Sequence, residues 1–403
     1  MMMTTTAEQM RAWRGPTLFT YGFRPFFLGA TVWAALAMAL WVPMLSGHIT
    51  LPTAFDPVSW HAHEFLFGYL TAVAAGFLLT AVPNWTGRLP IVGWPLAGLF
   101  GLWVAGRIAV AVSAILPPLL VGLVDLAMPL ALAAVIAREI IAGKNWRNLI
   151  VLAMLCVLAL GNGVFHWEAV QGTYAAQGVG LRIGLGAGLM MIAVIGGRVV
   201  PSFTRNWLVK RSATQLPTPP MQRFDKVALL ALLVALLLWV VAPDGRSTGV
   251  ALGLSGVIHL IRLSRWAGLG TWPEPLVLVL HVAYVFVPLG ALTLAAGIAW
   301  PSVVGLGAVQ HLWMGGAVGL MTLAVMSRAT LGHSGRDLTA GWGTSLVYVG
   351  VIAATSLRVS AGIWPAAAPV LYAVSGIAWI SAMGGFVIIY GRMLLYARPA
   401  KKL

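Results

Sequence analysis

The chain has 403 residues, of which 60% are hydrophobic and only 9% charged, and its mean hydropathy is +0.91. A soluble domain carries about a quarter charged residues, so a water-soluble globular protein is excluded. The net charge of +15 would suit nucleic acid. However, the basic residues stand in short loops between apolar runs, as in a polytopic membrane protein, and no nucleic-acid partner is expected. The one cysteine, Cys156, lies inside an apolar run, which leaves no disulfide framework and no CxxC site within the chain. No strand–helix phosphate loop occurs, which argues against nucleotide hydrolysis.

Taken in order, the start MMMTTTAEQMRAWRGP has no signal-peptide core, and 1–20 is expected to be a cytoplasmic tail. About twelve apolar runs of roughly twenty residues follow, each sufficient to cross about 30 Å of hydrocarbon. They are centred near residues 36, 72, 101, 126, 156, 190, 233, 255, 286, 314, 351 and 381. The hairpin over 226–264 is the weakest pair, because Pro243-Asp244-Gly245 shortens each half. With the N-terminus inside, all of the 25 Lys and Arg residues except Arg107, Arg182, Arg246 and Arg358 fall on the cytoplasmic side. The expectation is an all-α, polytopic helix bundle, a single integral membrane domain over 1–403 in the bacterial cytoplasmic (inner) membrane, N-in and C-in.

The stretch Trp60 to Arg88, WHAHEFLFGYLTAVAAGFLLTAVPNWTGR, opens on two histidines and a glutamate and closes on a basic turn. An internal repeat starts here. His63 to Arg88 and His311 to Arg336 have the same separation, with Gly68 over Gly316 and Thr86-Gly87-Arg88 over Ser334-Gly335-Arg336. The segment 189–205 lies over 320–336. The repeated spans are the second, sixth and tenth, which predicts three four-helix units in tandem, 21–145, 146–265 and 266–398.

An ionisable residue within a span is costly without a partner or a task, so the histidines carry the functional reading. His61 and His63 stand two apart and point to different sides of a regular helix. If the preceding segment is extended, they share a metal instead. His166 closes span five, His281 lies in span nine and His333 in a cytoplasmic loop. His311 is placed about nine residues into span ten, roughly 13 Å deep at 1.5 Å per residue. His48 reads as a solvated loop residue and His259 as a hydrogen-bonding group within the bundle. No HExxH occurs. Imidazole suits haem iron, copper and zinc. His63 and His311, equivalent in two repeats, form the pair that a six-coordinate haem requires, with Arg107 and Arg182 on the outer side for its propionates. Glu64 reads either as a partner of a ligating histidine or proton carrier, or as an interfacial carboxylate paired with a loop arginine. Asp125 reads as a structural carboxylate.

Several stretches carry a resemblance: GFRPFFL (22–28), WHAHEFLFG (60–68), GFLLTAVPNWTGR (76–88), LGNGVFH (160–166), GGRVVPSFTRNW (196–207), LHVAY (280–284), and His311 with LAVMSRATLGHSGR (323–336). On these the chain resembles the NnrS family of bacterial membrane proteins. The resemblance implies haem and copper as cofactors, nitric oxide as the small-molecule ligand, and a role in denitrification or nitrosative stress. It places His61, His63, His166, His281, His311 and His333 in matching motifs. The expected assignment is haem on His63 and His311, and metal on His61, His166, His281 and His333. Glu64, Arg88 and Arg336 are expected as partners of the ligands. A looser likeness is to haem–copper oxidase core subunits, with their three four-helix arcs. The departure there is that span six has no histidine and span seven no His-His pair, so copper would need another arrangement, such as His61 with His166.

Two functions compete. One is a haem/copper protein that binds nitric oxide and turns it over or relieves its effects, with electrons from an external donor. The other is a secondary transporter, using Asp125, Glu64, Arg107 and Arg182 as substrate or proton sites.

Overall fold

The computed structural model describes residues 13–301 and 305–396. Most of the expected cytoplasmic tail, and the basic residues Arg11, Arg398, Lys401 and Lys402, lie outside the described residues. Every regular element among the described residues is helical. Twelve helices are long and apolar enough to cross a membrane: α1 Phe23–Leu45, α2 Pro57–Thr86, α3 Trp94–Ala111, α4 Pro118–Ala142, α5 Trp146–Val170, α6 Val179–Val209, α7 Arg223–Val241, α8 Arg246–Ser264, α9 Pro275–Ala299, α10 Gly307–His333, α11 Trp342–Ile363 and α12 Pro365–Leu395. The protein is a multi-pass membrane protein. Hydrocarbon offers no partner to backbone N–H and C=O groups, so helices that satisfy their own are the expected solution.

Local chemistry sets the ends. Asp56 starts α2, its Oδ1 accepting the Val58 and Ser59 N–H groups at 2.9 and 3.0 Å, with Pro57 in the first turn. Glu274 and Pro275 start α9 in the same way. A capping box between Gln222 and Asp225 starts α7. The weak hairpin is a full pair: α7 and α8 each have 19 residues, on either side of Pro243-Asp244-Gly245. The start of α10 also differs from expectation. The backbone of Gly305 is extended and the helix begins just beyond it, so His311 lies in its first turns rather than deep within it.

Three spans contain π-helical segments: Glu64–Tyr69 in α2, Ile192–Gly196 in α6 and Leu312–Leu320 in α10. These are the spans matched in the sequence repeat. They are also the most enclosed, with 78%, 72% and 67% of their apolar windows buried. In α2 and α10 the π segment begins one residue after the histidine. Both helices then end on a left-handed glycine, Gly87 at φ 70° and Gly335 at φ 64°. The N–H of the following arginine returns to a carbonyl of the last turn, Arg88 to Pro83 at 3.1 Å and Arg336 to Leu331 at 3.0 Å. In α6 the π segment lies at a different register, and the helix runs on to Val209 and does not end on a left-handed glycine.

The contacts divide the chain into two compact units. One holds residues 1–184, 326–337 and 383–403, the other 185–325 and 338–382. Within the first, α1 packs on α2, α3 on α4 and α4 on α5. The start of α6 meets α5 through glycines: a Cβ on Gly161 would stand 2.7 Å from the Gly184 nitrogen. Small residues let helices in lipid approach this closely. Within the second unit, α8 packs against α7 and α9, and α10 against α9 and α11.

Candidate metal centre

Because Asp56 and Pro57 start α2 before the histidines, His61 and His63 are both helical and face different ways. The open alternative of an extended segment with a shared metal is not the one adopted. His61 stacks on Trp41, ring centroids 4.0 Å apart at 22°, and lies 4.6 Å from Phe65. His63 is fully buried. The π segment follows at once, with Glu64 as its first residue, also fully buried. A π turn frees a backbone carbonyl, and Trp103 Nε1 donates to that of Gly68 at 2.9 Å. Residue 68 must be glycine because the Arg107 guanidinium lies where a Cβ would be.

Successive spans run in opposite directions, so the first turns of α2 and α4 and the last turns of α3 and α5 lie at one end of the unit. There His63, Glu64, Arg107, Asp125, Asn162 and His166 converge. Asp125 Oδ2 is the hub, at 3.1 Å from His63 Nε2 and 3.0 Å from His166 Nε2, and it accepts from Asn162 Nδ2 at 2.7 Å. Asn162 Oδ1 lies 3.0 Å from His63 Nε2. His63 Nδ1 lies 3.0 Å from Glu64 Oε1. Arg107 Nη1 donates to both Glu64 oxygens at 2.7 Å, and Nη2 donates to Asp125 Oδ1. Trp33 Nε1 donates to Glu64 Oε2 at 2.6 Å.

With neutral imidazoles this cluster would be one positive charge short. Two buried carboxylates face one guanidinium, and an uncompensated charge in such surroundings is expensive. A proton on the imidazole pair or a metal cation supplies the balance. The phenyl rings of Phe55, Phe67 and Phe165 stand 5.5 Å from the His63 ring and close the site. Phe55 is held from the loop before α2, where Ser113 Oγ accepts from Ala54 N at 2.8 Å. At the rim, outside the spans, burial first and the Asp56 charge second push the Tyr174 hydroxyl above its usual range, so it stays a neutral phenol.

The other expected residues have separate surroundings. His281 Nε2 lies 2.7 Å from Thr204 Oγ1. His311 Nδ1 donates to the Gly307 carbonyl at 2.8 Å. His333 stacks on Phe23 at 5.3 Å. Arg88 pairs with Glu139, and Arg336 is exposed. Arg182 donates to the Gln177 carbonyl at 2.6 Å, beside a cleft with Trp167, Glu168 and Tyr174. His48 is exposed, 2.8 Å from Ser46 Oγ. Glu64 is paired with Arg107, inside a span, rather than with a loop arginine at the interface.

Sequence reading missed Asp125 as the hub and Asn162 altogether. Two signals were available: a carboxylate within an apolar span, and Asn162 and His166 at i, i+4 on one helix face.

The donors fit a small cation. One atom each of His63, Asp125 and His166 lie within 4.8 Å of one another. Two imidazoles and a carboxylate suit borderline divalent transition metals. They do not fit haem at His63 as arranged, because its Nε2 faces Asp125 and Asn162 and three phenyl rings surround the imidazole. The family model described as NnrS protein matches residues 17–398, nearly the whole chain. No curated protein matches.

Proposed function

The chain belongs to the NnrS family, and from that premise we propose that this nitric oxide-related membrane protein holds a transition-metal ion between His63, Asp125 and His166, with which it binds nitric oxide and relieves its effects. The observation that carries the reading is the approach of three ligand atoms to within 4.8 Å in a buried site. Copper is the ion the family resemblance implies, and this donor set accepts it. When bound, such an ion supplies an open position for a diatomic ligand and one-electron chemistry, with electrons from an external donor.

The chain's own groups do the rest. Arg107 and Trp33 fix Glu64, and Glu64 sets the His63 ring through Nδ1. A carboxylate behind a histidine fixes its tautomer and raises its basicity as a ligand. Asn162 holds both His63 Nε2 and Asp125 Oδ2 through its amide, and Phe55 excludes water. Haem, in this reading, belongs to His311, whose Nδ1–H donates to a backbone carbonyl as metal-ligating histidines do. Pairing His63 with it would require the aromatic box to open. His61, His281 and His333 stand as further ligand positions outside the cluster. The charge distribution and the even number of spans support an N-in, C-in arrangement in the cytoplasmic membrane. The matching ends of α2 and α10 support the likeness of the second and tenth spans on which the repeat rests.

One observation favours the secondary-transporter reading: Glu64, Arg107 and Asp125 form a buried charged group between spans, as ion-coupled carriers do. Metal analysis separates the two. Wild type, His166→Ala and Asp125→Asn are purified in detergent, loaded with copper, assayed for metal, and titrated with nitric oxide by optical and infrared spectroscopy. One ion per wild-type chain, lost in both variants together with the nitric oxide response, supports the metal site. Equal metal content in all three overturns it. Solute uptake by metal-free vesicles puts the transporter first.

A further inference from the structure

The second unit contains a buried polar network that the metal reading leaves unused. Tyr284 on α9 and His259 and Arg262 on α8 are each 0% exposed. His259 Nε2 lies 3.0 Å from the Ala228 carbonyl, which only accepts, so Nε2 carries the hydrogen and Nδ1 the lone pair. The Tyr284 hydroxyl, 2.9 Å from Nδ1, therefore donates to it. The phenol oxygen in turn accepts from Arg262 Nη1 at 2.8 Å. Arg262 is fixed by Asp225 Oδ1 at 2.8 Å and by the carbonyl of Ala193, in the π segment of α6, at 3.0 Å. Gly197 leaves room for the guanidinium, which lies where a Cβ would be. The Trp266 ring, itself buried, stands 4.5 Å from that of Tyr284.

The geometry points to Tyr284 as a one-electron redox site, with His259 as its proton acceptor. A phenol that loses an electron becomes strongly acidic. In an apolar interior the resulting radical cation is costly unless the proton leaves at once, and here a base is already hydrogen-bonded to it. Holding Arg262 alone would need only a hydroxyl acceptor. A base whose tautomer is locked toward the phenol is the additional feature. The indole of Trp266 gives the phenol a π contact for electron exchange.

The oxidant follows from the nitric oxide reading, on which this part rests. It is nitrogen dioxide, the uncharged one-electron oxidant formed when nitric oxide meets oxygen, and it is soluble in the membrane. In the step, the Tyr284 phenol gives one electron to nitrogen dioxide, which becomes nitrite. The O–H bond breaks and its proton passes to His259 Nδ1, leaving a neutral phenoxyl and an imidazolium beside the Arg262–Asp225 ion pair. Atoms and charge balance without a further reactant.

The test uses the purified full-length chain and photogenerated tris(bipyridyl)ruthenium(III) as oxidant, with freeze-trapping and electron paramagnetic resonance. The chain has eight tyrosines, so assignment rests on Tyr284→Phe, which removes only the hydroxyl. A tyrosyl signal in wild type that is lost in Tyr284→Phe supports the site. In His259→Gln the signal should form at least ~tenfold more slowly, since a positioned base contributes roughly 10²–10⁴-fold. Deuterated solvent should slow its formation in wild type, a readout independent of any variant's folding. A signal equal in wild type and Tyr284→Phe, or no solvent isotope effect, overturns the proposal. Repetition with pulse-generated nitrogen dioxide tests the oxidant: no radical there overturns that assignment. None of these outcomes depends on metal at His63, so failure here is distinct from failure of the metal reading.

Discussion

Asn162 and His166, one helical turn apart on α5, address the same oxygen of Asp125, at 2.7 and 3.0 Å. The amide also meets His63 Nε2, so a single side chain braces both an imidazole and the carboxylate that it touches, the pair that would share an ion.

Asn162→Ala removes that brace without removing a ligand atom of the metal group. Supporting partners of this kind change metal affinity by about 10–100-fold. Copper affinity, measured by competition with a chelator, should fall by that amount while the chain still loads at high copper. Unchanged affinity would show that the amide has no part in setting the ligands.

Arg107 is the only cation directly bonded to Glu64 and Asp125 among the described residues. Arg107→Met leaves two buried carboxylates uncompensated, and breaking a buried pair in this way costs about 3–5 kcal/mol. Adding Glu64→Gln and Asp125→Asn should restore much of that stability, because the charges that lacked a partner are gone. Denaturation in mixed micelles measures both. A triple variant no more stable than Arg107→Met would mean that the arginine acts by packing against Gly68 rather than by charge.

His61 and His63 give opposite expectations although they are two residues apart. His61 lies flat on Trp41, a contact that a phenyl ring reproduces. In His61→Phe the metal content of the cluster should stay at the wild-type level, and in His63→Phe it should be lost. Loss in both would bring His61 back as a ligand of the same ion, the reading an extended segment would have required.

The spans were legible because a hydrocarbon core demands about twenty apolar residues at a time, and the loop charges gave an orientation. The centre was only half legible. His63, Glu64 and His166 stood out as ionisable groups near apolar runs, but nothing in a one-dimensional pattern says which span faces which. Asp125 therefore read as a structural carboxylate, although Arg107, Asn162 and both imidazoles converge on it. The π segments were also hidden. A turn with an extra residue leaves no apolar period behind, yet it follows immediately after His63 and His311, and the π segments of α2 and α6 hold the carbonyls that Trp103 and Arg262 use.

Metal binding should itself be visible as stability. An ion that binds the folded chain alone stabilises it by RT ln(1 + [L]/Kd), about 2.7 kcal/mol at a hundred times Kd. The thermal midpoint of wild type should therefore rise with added copper and fall back on chelation. His166→Ala should show no such response, and His281→Ala, whose ring meets Thr204 instead, should respond as wild type does. A copper-dependent midpoint in His166→Ala would move the ion away from this cluster.

The two glycine caps test the likeness of α2 and α10. Gly87 and Gly335 have nearly the same left-handed φ, and each is followed by an arginine whose N–H returns to the last turn. No Cβ contact stands in the way at Gly87, so the cost of alanine there is conformational alone. A left-handed residue with a side chain costs roughly 1–2 kcal/mol. Gly87→Ala and Gly335→Ala should each lower stability by about that amount, and the double variant by their sum, because the caps close separate helices. Measured by denaturation in mixed micelles, equal and additive losses would mean that the two ends perform the same task. A neutral Gly335→Ala beside a costly Gly87→Ala would leave the matched spacing of histidine and arginine as a coincidence of sequence.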